Sequence, residues 1–156
     1  MPAGTSCELG RLMANGCSVA RQETMRALII EDEYLIAHSL EDMLEPLGFT
    51  SFSFARSEDA AVLAANAQKL DLITADVRLL PGDGVRAVEL ICSQRDIPVI
   101  FITGYKDELI ERAPDAIVIQ KPVKEDELAA TVRRVLALRR SERNDMPGTS
   151  AAHSAS

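Results

Sequence analysis

Carboxylate, hydroxyl and lysine side chains occur in this sequence where short apolar runs end, and together they could transfer a phosphoryl group. These residues are Glu31, Asp32, Asp76, Thr103 and Lys121. Three carboxylates that lie close together repel one another, and a hard divalent cation relieves that repulsion. Mg²⁺, or Mn²⁺ in its place, takes oxygen ligands in an octahedral arrangement. The acidic residues therefore predict a divalent-cation site.

The chemistry of such a site follows from its ligands. The expected ligands are Asp32, Asp76, the backbone carbonyl of Arg78, and Glu31 through a water molecule. One oxygen of Asp76 would remain free to attack phosphorus and form an acyl phosphate. The oxygens of the transferred group would then be neutralised by the cation, the Lys121 ammonium and the Thr103 hydroxyl.

The elements that must position these residues alternate along the chain. Predicted strands cover 26–30, 50–55, 71–75, 98–102 and 116–119. Helical segments lie between and after these strands. In the first of them, Ile36, Leu40 and Leu44 recur every four residues, which is helical spacing. Alternating strands and helices predict an α/β fold with a parallel sheet and helices on both faces. Since functional crevices lie beyond the carboxyl ends of parallel strands, we expect these five polar residues to meet at one edge.

Composition limits the class of protein. The chain has 156 residues, 47% of them hydrophobic, and a formal net charge of −7. That apolar share fills one ordinary core and excludes a wholly disordered chain. The acidic balance argues against direct binding of nucleic acid. No apolar run reaches the roughly 20 residues that span a bilayer. We therefore expect a soluble cytoplasmic protein without membrane contact.

Changes of composition and of hydrophobic pattern along the chain predict three segments. Residues 1–24 have no clear period and are expected to form a flexible N-terminal extension. Residues 25–140 carry the alternating pattern and form the predicted folded domain. Residues 141–156 are rich in small and polar types, which predicts a disordered C-terminal tail.

The motifs around the polar residues resemble the receiver domain of two-component response regulators over about 26–138. The matching segments are LIIEDE (28–33), LITADVRLLPGDG (72–84), PVIFITGY (98–105) and VIQKP (118–122). The resemblance implies a flavodoxin-like, doubly wound sheet of five parallel strands in the order 2-1-3-4-5. It also implies a role for each polar residue. Asp76 would be the phosphoacceptor, Glu31 and Asp32 the acid pair, Thr103 the switch hydroxyl, and Lys121 the phosphate-binding lysine before a cis bond to Pro122.

Three features depart from the familiar receiver pattern. Val118 stands where an aromatic switch residue is usual, and Tyr105 instead follows Thr103 and Gly104 as a candidate switch residue. Thr103 and Lys121 are so close in sequence that helix 4 should be short or missing. The run from Phe101 to Tyr105 is similar to the Phe-Ala-Thr-Gly-x-Tyr signature of an alphaproteobacterial single-domain subgroup. That similarity implies sensor histidine kinases of stress-response phosphorelays as partners.

The resemblance implies a single-domain response regulator that accepts phosphate from a histidine kinase or a phosphotransfer protein. It also implies that helix 1 and the loop after strand 5 dock that partner, with Ile36, Leu40 and Pro122 at the contact. The phosphorylated protein would act as a monomer or a phosphorylation-dependent dimer, through protein contacts or phosphate flow. Because its phosphate would be lost by self-catalysis, it would be a switch and not a turnover enzyme.

Two alternatives remain open from the sequence. A phosphatase of the haloacid dehalogenase type also uses an aspartyl intermediate, but it places a second Asp two residues after the nucleophile, where this chain has Arg78. A phosphate sink would drain a shared kinase without sending a signal, and its sequence would look the same.

Overall fold

This computed structural model describes residues 23–145, which form alternating strands and helices. The sheet strands are β1 (Met25–Ile30), β2 (Phe49–Ala55), β3 (Leu72–Ala75), β4 (Val99–Thr103) and β5 (Val118–Gln120). The helices are α1 (Tyr34–Leu44), α2 (Glu58–Ala67), α3 (Gly84–Cys92), α4 (Lys106–Arg112) and α5 (Glu125–Asp145). A 3₁₀ turn, Glu45–Leu47, extends α1, and the short strands Arg78–Leu79 and Gly82–Asp83 pair as a hairpin between β3 and α3.

The five strands form one sheet in the order β2-β1-β3-β4-β5, and every neighbouring pair is parallel. This is the order expected from the sequence motifs, so the predicted fold is confirmed. The register pairs Ile30 with Ala75 and Thr103 with Gln120. The residues that come directly after these positions therefore emerge at the same edge of the sheet.

The hydrophobic core is divided between the two faces of the sheet. Leu28 and Ile30 of β1 pack with α2, α3 and α4, whose contributions include Ala61, Val88 and Leu109. Ala27 and Ile29 point to the other face and pack with α1 and α5. Because both faces are covered, β1 is apolar and buried without interruption from Ala27 to Ile30.

Helix α4 is short, as its sequence predicts: it spans seven residues, with Leu109 buried. Helix α5 differs from the prediction, because it continues to Asp145 and so includes residues 141–145, which were expected to be disordered. Nothing in 141–145 breaks a helix, and the first proline beyond α5 is Pro147. Residues 1–22 and 146–156, which hold most of the predicted extension and tail, lie outside the described residues.

Within residues 23–145, no helix is both long and apolar enough to cross a membrane.

Candidate functional site

An acidic cluster lies at the carboxyl edge of the sheet. Glu31 and Asp32 follow β1 directly, and Asp76 follows β3, which is the next strand in the sheet. Glu31 is 2% exposed and Asp76 is 6% exposed. Each of the three offers a carboxylate oxygen, and these oxygens lie within 4.8 Å of one another. The register that pairs Ile30 with Ala75 brings these residues together as the sequence predicted.

Lys121 supplies the positive charge that faces this cluster. It follows β5, and its Nζ donates hydrogen bonds to Glu31 Oε2 at 2.9 Å and to Asp76 Oδ2 at 2.7 Å. Burial disfavours the charged ammonium, but the hydrogen bonds to Asp76 and Glu31 outweigh that effect and raise the pKa of Lys121. Lys121 is therefore a permanent cation at neutral pH. One lysine against three carboxylates leaves the cluster negatively charged.

The two oxygens of Asp76 have different environments. Oδ2 is held by Lys121, whereas Oδ1 is buried and has no hydrogen-bond partner among the described residues. A buried acceptor without a partner is costly, because its desolvation is not compensated. A divalent cation shared by Glu31, Asp32 and Asp76 would satisfy that oxygen, so the residues present fit Mg²⁺. A contribution from the Arg78 carbonyl stays a prediction.

Thr103 lies at the same edge, as the last residue of β4, and it is fully buried. Its Oγ1 accepts a hydrogen bond from the Tyr105 backbone N–H at 3.1 Å. Its carbonyl accepts the Lys121 backbone N–H at 3.0 Å, which ties the ends of β4 and β5 together. The hydroxyl is thus engaged with the segment that enters α4.

Gly84, the first residue of α3, is packed against the backbone that carries Asp76. A Cβ at this position would lie 1.6 Å from the Asp76 carbonyl oxygen, which no relaxation of a side chain could relieve. The Gly84 N–H donates to the Val77 carbonyl at 2.9 Å, and Asp83 caps the helix by accepting from Val85 N–H at 2.9 Å. Sequence reasoning did not single out Gly84 as a site residue. The Asp-Gly pair before an apolar helix was the available signal.

Comparison with known proteins identifies the family of this arrangement. Residues 27–133 match the response regulator receiver domain. The chain belongs to the response regulator receiver family. Receivers generally bind Mg²⁺ in an acidic pocket, and the cluster of Glu31, Asp32 and Asp76 is of that kind.

The receiver is similar to several response regulators of known sequence. It is 36% identical over 132 residues to the phyllosphere-induced regulator PhyR of Methylorubrum extorquens, covering 82% of this chain and 49% of that protein. It is 38% identical over 92 residues to the transcriptional regulatory protein PdtaR of Mycobacterium tuberculosis, covering 58% of this chain and 45% of that protein. The chain thus spans about half the length of the curated relatives it matches.

Solved structures agree with this assignment. The receiver domain of Erythrobacter litoralis PhyR superposes with a TM-score of 0.69 at 36% identity, covering 73% of this chain and 91% of that one. The anti-anti-sigma factor PhyR of Bartonella quintana superposes with a TM-score of 0.70 at 32% identity, covering 86% of this chain and 57% of that one.

The receiver also pairs Arg78 with Tyr105, which the sequence did not predict. The Arg78 guanidinium lies 3.8 Å from the centroid of the Tyr105 ring and is 2.8 Å from Glu108 Oε2. Tyr105 is 46% exposed and remains a candidate switch residue. The two contacts connect the hairpin after β3 to the start of α4. Exposed ion pairs of this type contribute about 0 to 1 kcal/mol, so the network orients these segments without adding much stability.

An apolar groove of about 570 Å³ begins beside the lysine of this site. Ile36 and Leu40 on α1 and Pro122 after β5 all line it, as does Lys121 itself. The structure therefore brings together the three residues expected at a docking surface. The Lys121–Pro122 peptide bond is cis, as the resemblance implied, and Leu80–Pro81 is also cis.

Replacing Glu31 by Gln is expected to change how stability depends on pH. Burial raises the pKa of Glu31 above its ordinary value of 4.5, against the opposing hydrogen bond from Lys121. The unfolded chain therefore loses this proton at lower pH than the folded chain. The free energy of unfolding should fall as pH rises from 4.5 through the raised pKa. Glu31→Gln should lack this fall, so its stability relative to the unchanged protein should increase across that interval.

Urea unfolding in EDTA at pH values on both sides of 4.5 would measure this difference. Glu33→Gln is the matched control, because Glu33 is exposed and lies outside the acidic cluster. Parallel pH profiles for Glu31→Gln and the unchanged protein would contradict the expectation.

Proposed function

We propose that this receiver accepts a phosphoryl group on Asp76 from the phosphohistidine of a sensor histidine kinase or a phosphotransfer protein. The observation that supports the proposal most directly is the asymmetric carboxylate of Asp76. Lys121 holds Oδ2 at 2.7 Å, and Oδ1 is buried without a hydrogen-bond partner among the described residues. Such a carboxylate is oriented, with Oδ1 placed to meet the cation and Oδ2, on the lysine side, left to bond to phosphorus.

In the proposed transfer, a carboxylate oxygen of Asp76 forms a bond to phosphorus. The bond from phosphorus to the donor's imidazole nitrogen breaks, and the nitrogen keeps the electron pair. Lys121 neutralises charge at the phosphoryl oxygens without needing a proton transfer, because its pKa is raised. When bound by Glu31, Asp32 and Asp76, Mg²⁺ supplies further positive charge at the transferred group.

The phosphorylated state would act through Thr103 and α4. The Thr103 hydroxyl accepts the Tyr105 N–H and still has its own hydrogen to donate to a phosphoryl oxygen. A movement of Thr103 toward the phosphoryl group would displace that backbone N–H at the entry into α4 and shift the population of conformations of α4. We propose that water then removes the phosphoryl group, so that the protein is a switch with no turnover activity.

The proposed partners are proteins. The apolar groove beside Lys121 would receive the phosphodonor, with Ile36, Leu40 and Pro122 in contact. Bartonella quintana PhyR is named an anti-anti-sigma factor, which supports a protein target here as well. The proposed stress-response role rests on the similarity of residues 101–105 to the subgroup signature. A cytoplasmic location and a phosphorylation-dependent dimer remain proposals from the sequence.

Phosphotransfer from a panel of histidine kinases of the same organism would test this function. We expect one kinase or phosphotransfer protein to label the receiver in the presence of Mg²⁺. The same preparation should not hydrolyse p-nitrophenyl phosphate, because Arg78, and not an acid, stands two residues after Asp76. Absence of labelling from every kinase and from acetyl phosphate would contradict the proposal. Turnover of the ester would favour the phosphatase alternative.

Mg²⁺ is expected to stabilise the receiver, because a ligand that binds the folded state alone shifts the unfolding equilibrium. At about 100 times its dissociation constant, the cation should add roughly 2.7 kcal/mol to the free energy of unfolding. Asp32→Asn should lose most of this gain, since Asp32 is one of the three clustered carboxylates. Thermal unfolding with Mg²⁺ and with EDTA would measure the shift.

Asp42→Asn is the control for this titration, because Asp42 is exposed on α1 and is not part of the cluster. It should keep the full stabilisation by Mg²⁺. An unchanged response in Asp32→Asn would remove the proposed metal site.

A further inference from the structure

A second pocket lies at the end of the sheet opposite to Asp76, and its walls are basic. It has a volume of about 530 Å³. The cationic residues that line it are Arg26, Lys69, Arg139, Arg140 and Arg143. They come from the start of β1, the loop before β3 and the last part of α5. Only Glu23 and Asp71 oppose them among the lining residues.

The positive charge of this pocket is not neutralised by carboxylates of the described residues, 23–145. Among residues 23–145, none of the five cations has a carboxylate oxygen within 4.0 Å. Asp71 is already engaged, because its Oδ2 accepts the backbone N–H of Arg26 at 2.9 Å. Five cations against two acids give a local excess of three positive charges, whereas the whole chain carries −7. Lys69, Arg140 and Arg143 are exposed, so water screens part of the repulsion among the cations, and a bound anion would relieve the rest.

One wall of the pocket is held in a fixed position. Arg139 donates from Nη1 to the Asp71 carbonyl at 3.4 Å and from Nη2 to the Asp96 carbonyl at 3.0 Å. Arg26 donates from Nη1 to Gln68 Oε1 at 3.4 Å. Guanidinium groups held by neutral partners keep their charge and lose little freedom when an anion binds.

We propose that this pocket binds a small oligophosphate anion, such as a nucleoside triphosphate or an inorganic polyphosphate. Arginine forks match phosphate oxygens in pairs, and several phosphates in a row would meet several guanidinium groups at once. The volume is in the range of ordinary small-ligand pockets. A nucleic acid duplex is a poorer candidate, since the acidic chain as a whole would repel it.

This site is separate from the proposed phosphoacceptor. Asp71, which lines the pocket, and Asp76 lie at opposite ends of β3, roughly 16 Å apart along an extended chain. The bound anion is not a donor of the phosphoryl group in this proposal.

Isothermal titration calorimetry with tripolyphosphate and with ATP, in EDTA and near-physiological salt, would test the site. We expect saturable one-to-one binding of at least one of these probes. Arg140→Gln/Arg143→Gln should weaken it by about tenfold or more. Arg133→Gln/Arg134→Gln is the matched control, because it removes the same charge from exposed residues of α5 outside the pocket. If both double variants weaken binding equally, the affinity depends on the net charge of the protein and not on the pocket, and the proposal is overturned.

One further measurement distinguishes this site from the phosphoacceptor. Asp76→Asn should bind the anion as the unchanged protein does, whatever the outcome of phosphotransfer experiments. Loss of anion binding in Asp76→Asn would overturn the second site.

Tighter binding of ATP than of tripolyphosphate would support a nucleotide as the ligand, and equal binding would show that the phosphate chain alone is recognised. If poly-glutamate binds and neither tripolyphosphate nor ATP does, the proposal is overturned, and an acidic protein segment is the better candidate for the ligand.

Discussion

Asp76→Asn is expected to stop phosphoryl uptake while leaving the fold intact. The amide that replaces the carboxylate is a poor nucleophile and carries no charge, so the covalent step loses its reacting atom. Labelling by acetyl phosphate with Mg²⁺ should fall by at least about a thousandfold, as is typical when a nucleophile is removed. The fold should survive because Lys121 keeps its hydrogen bond to Glu31 Oε2 at 2.9 Å.

Intact-protein mass spectrometry after brief incubation would measure the uptake. Asp42→Asn, an exposed acid of α1, should be labelled as fully as the unchanged protein. Phosphorylation of Asp76→Asn at the normal rate, or peptide mapping that places the group on another residue, would show that Asp76 is not the acceptor. Circular dichroism of the variant separates loss of chemistry from loss of structure.

Gly84→Ala is expected to destabilise the protein severely, although it adds only one methyl group. The added Cβ would lie 1.6 Å from the Asp76 carbonyl oxygen, and backbone must move to relieve the overlap. Either α3 shifts away from the sheet or the loop after β3 is displaced. We expect a loss of about 3 kcal/mol or more in the free energy of unfolding. Any residual folded protein should also bind Mg²⁺ more weakly, because the displaced loop carries Asp76.

Gly104→Ala is a matched control for this substitution. A Cβ at Gly104 would meet nothing within 4 Å, and Gly104 is not among the glycines with positive φ. Its unfolding free energy should stay within about 0.5 kcal/mol of the unchanged protein. Thermal unfolding and the soluble fraction on expression would compare the two variants. Near-normal stability of Gly84→Ala would contradict the packing described for α3.

The parts of the fold and site that the sequence predicted are those with local or topological causes. Strands and helices alternate with recognisable periods, and residues that follow parallel strands must converge at one edge. The sequence therefore predicts that Glu31, Asp76 and Lys121 lie together, and the structure joins them by hydrogen bonds. The short α4 followed from the length of chain between Thr103 and Lys121.

The features that the sequence did not predict depend on how distant segments pack. The approach of Gly84 to Asp76 depends on the angle at which α3 leaves the loop after β3. The contact of Arg78 with Tyr105 joins two loops whose separation no periodicity fixes. The end of α5 at Asp145 was missed for another reason, since polar composition alone does not distinguish an exposed helix end from a tail.

The division of the core between two faces of the sheet has a consequence for the order of events in signalling. Helices α1 and α5 cover one face, and α4 covers the other together with α2 and α3. The groove along α1 and the outer surface of α4 therefore lie on opposite sides of the sheet. Under the proposed function, a phosphodonor in that groove and a protein that senses the phosphorylated state through α4 would bind different faces, so a transient three-protein assembly is sterically permitted.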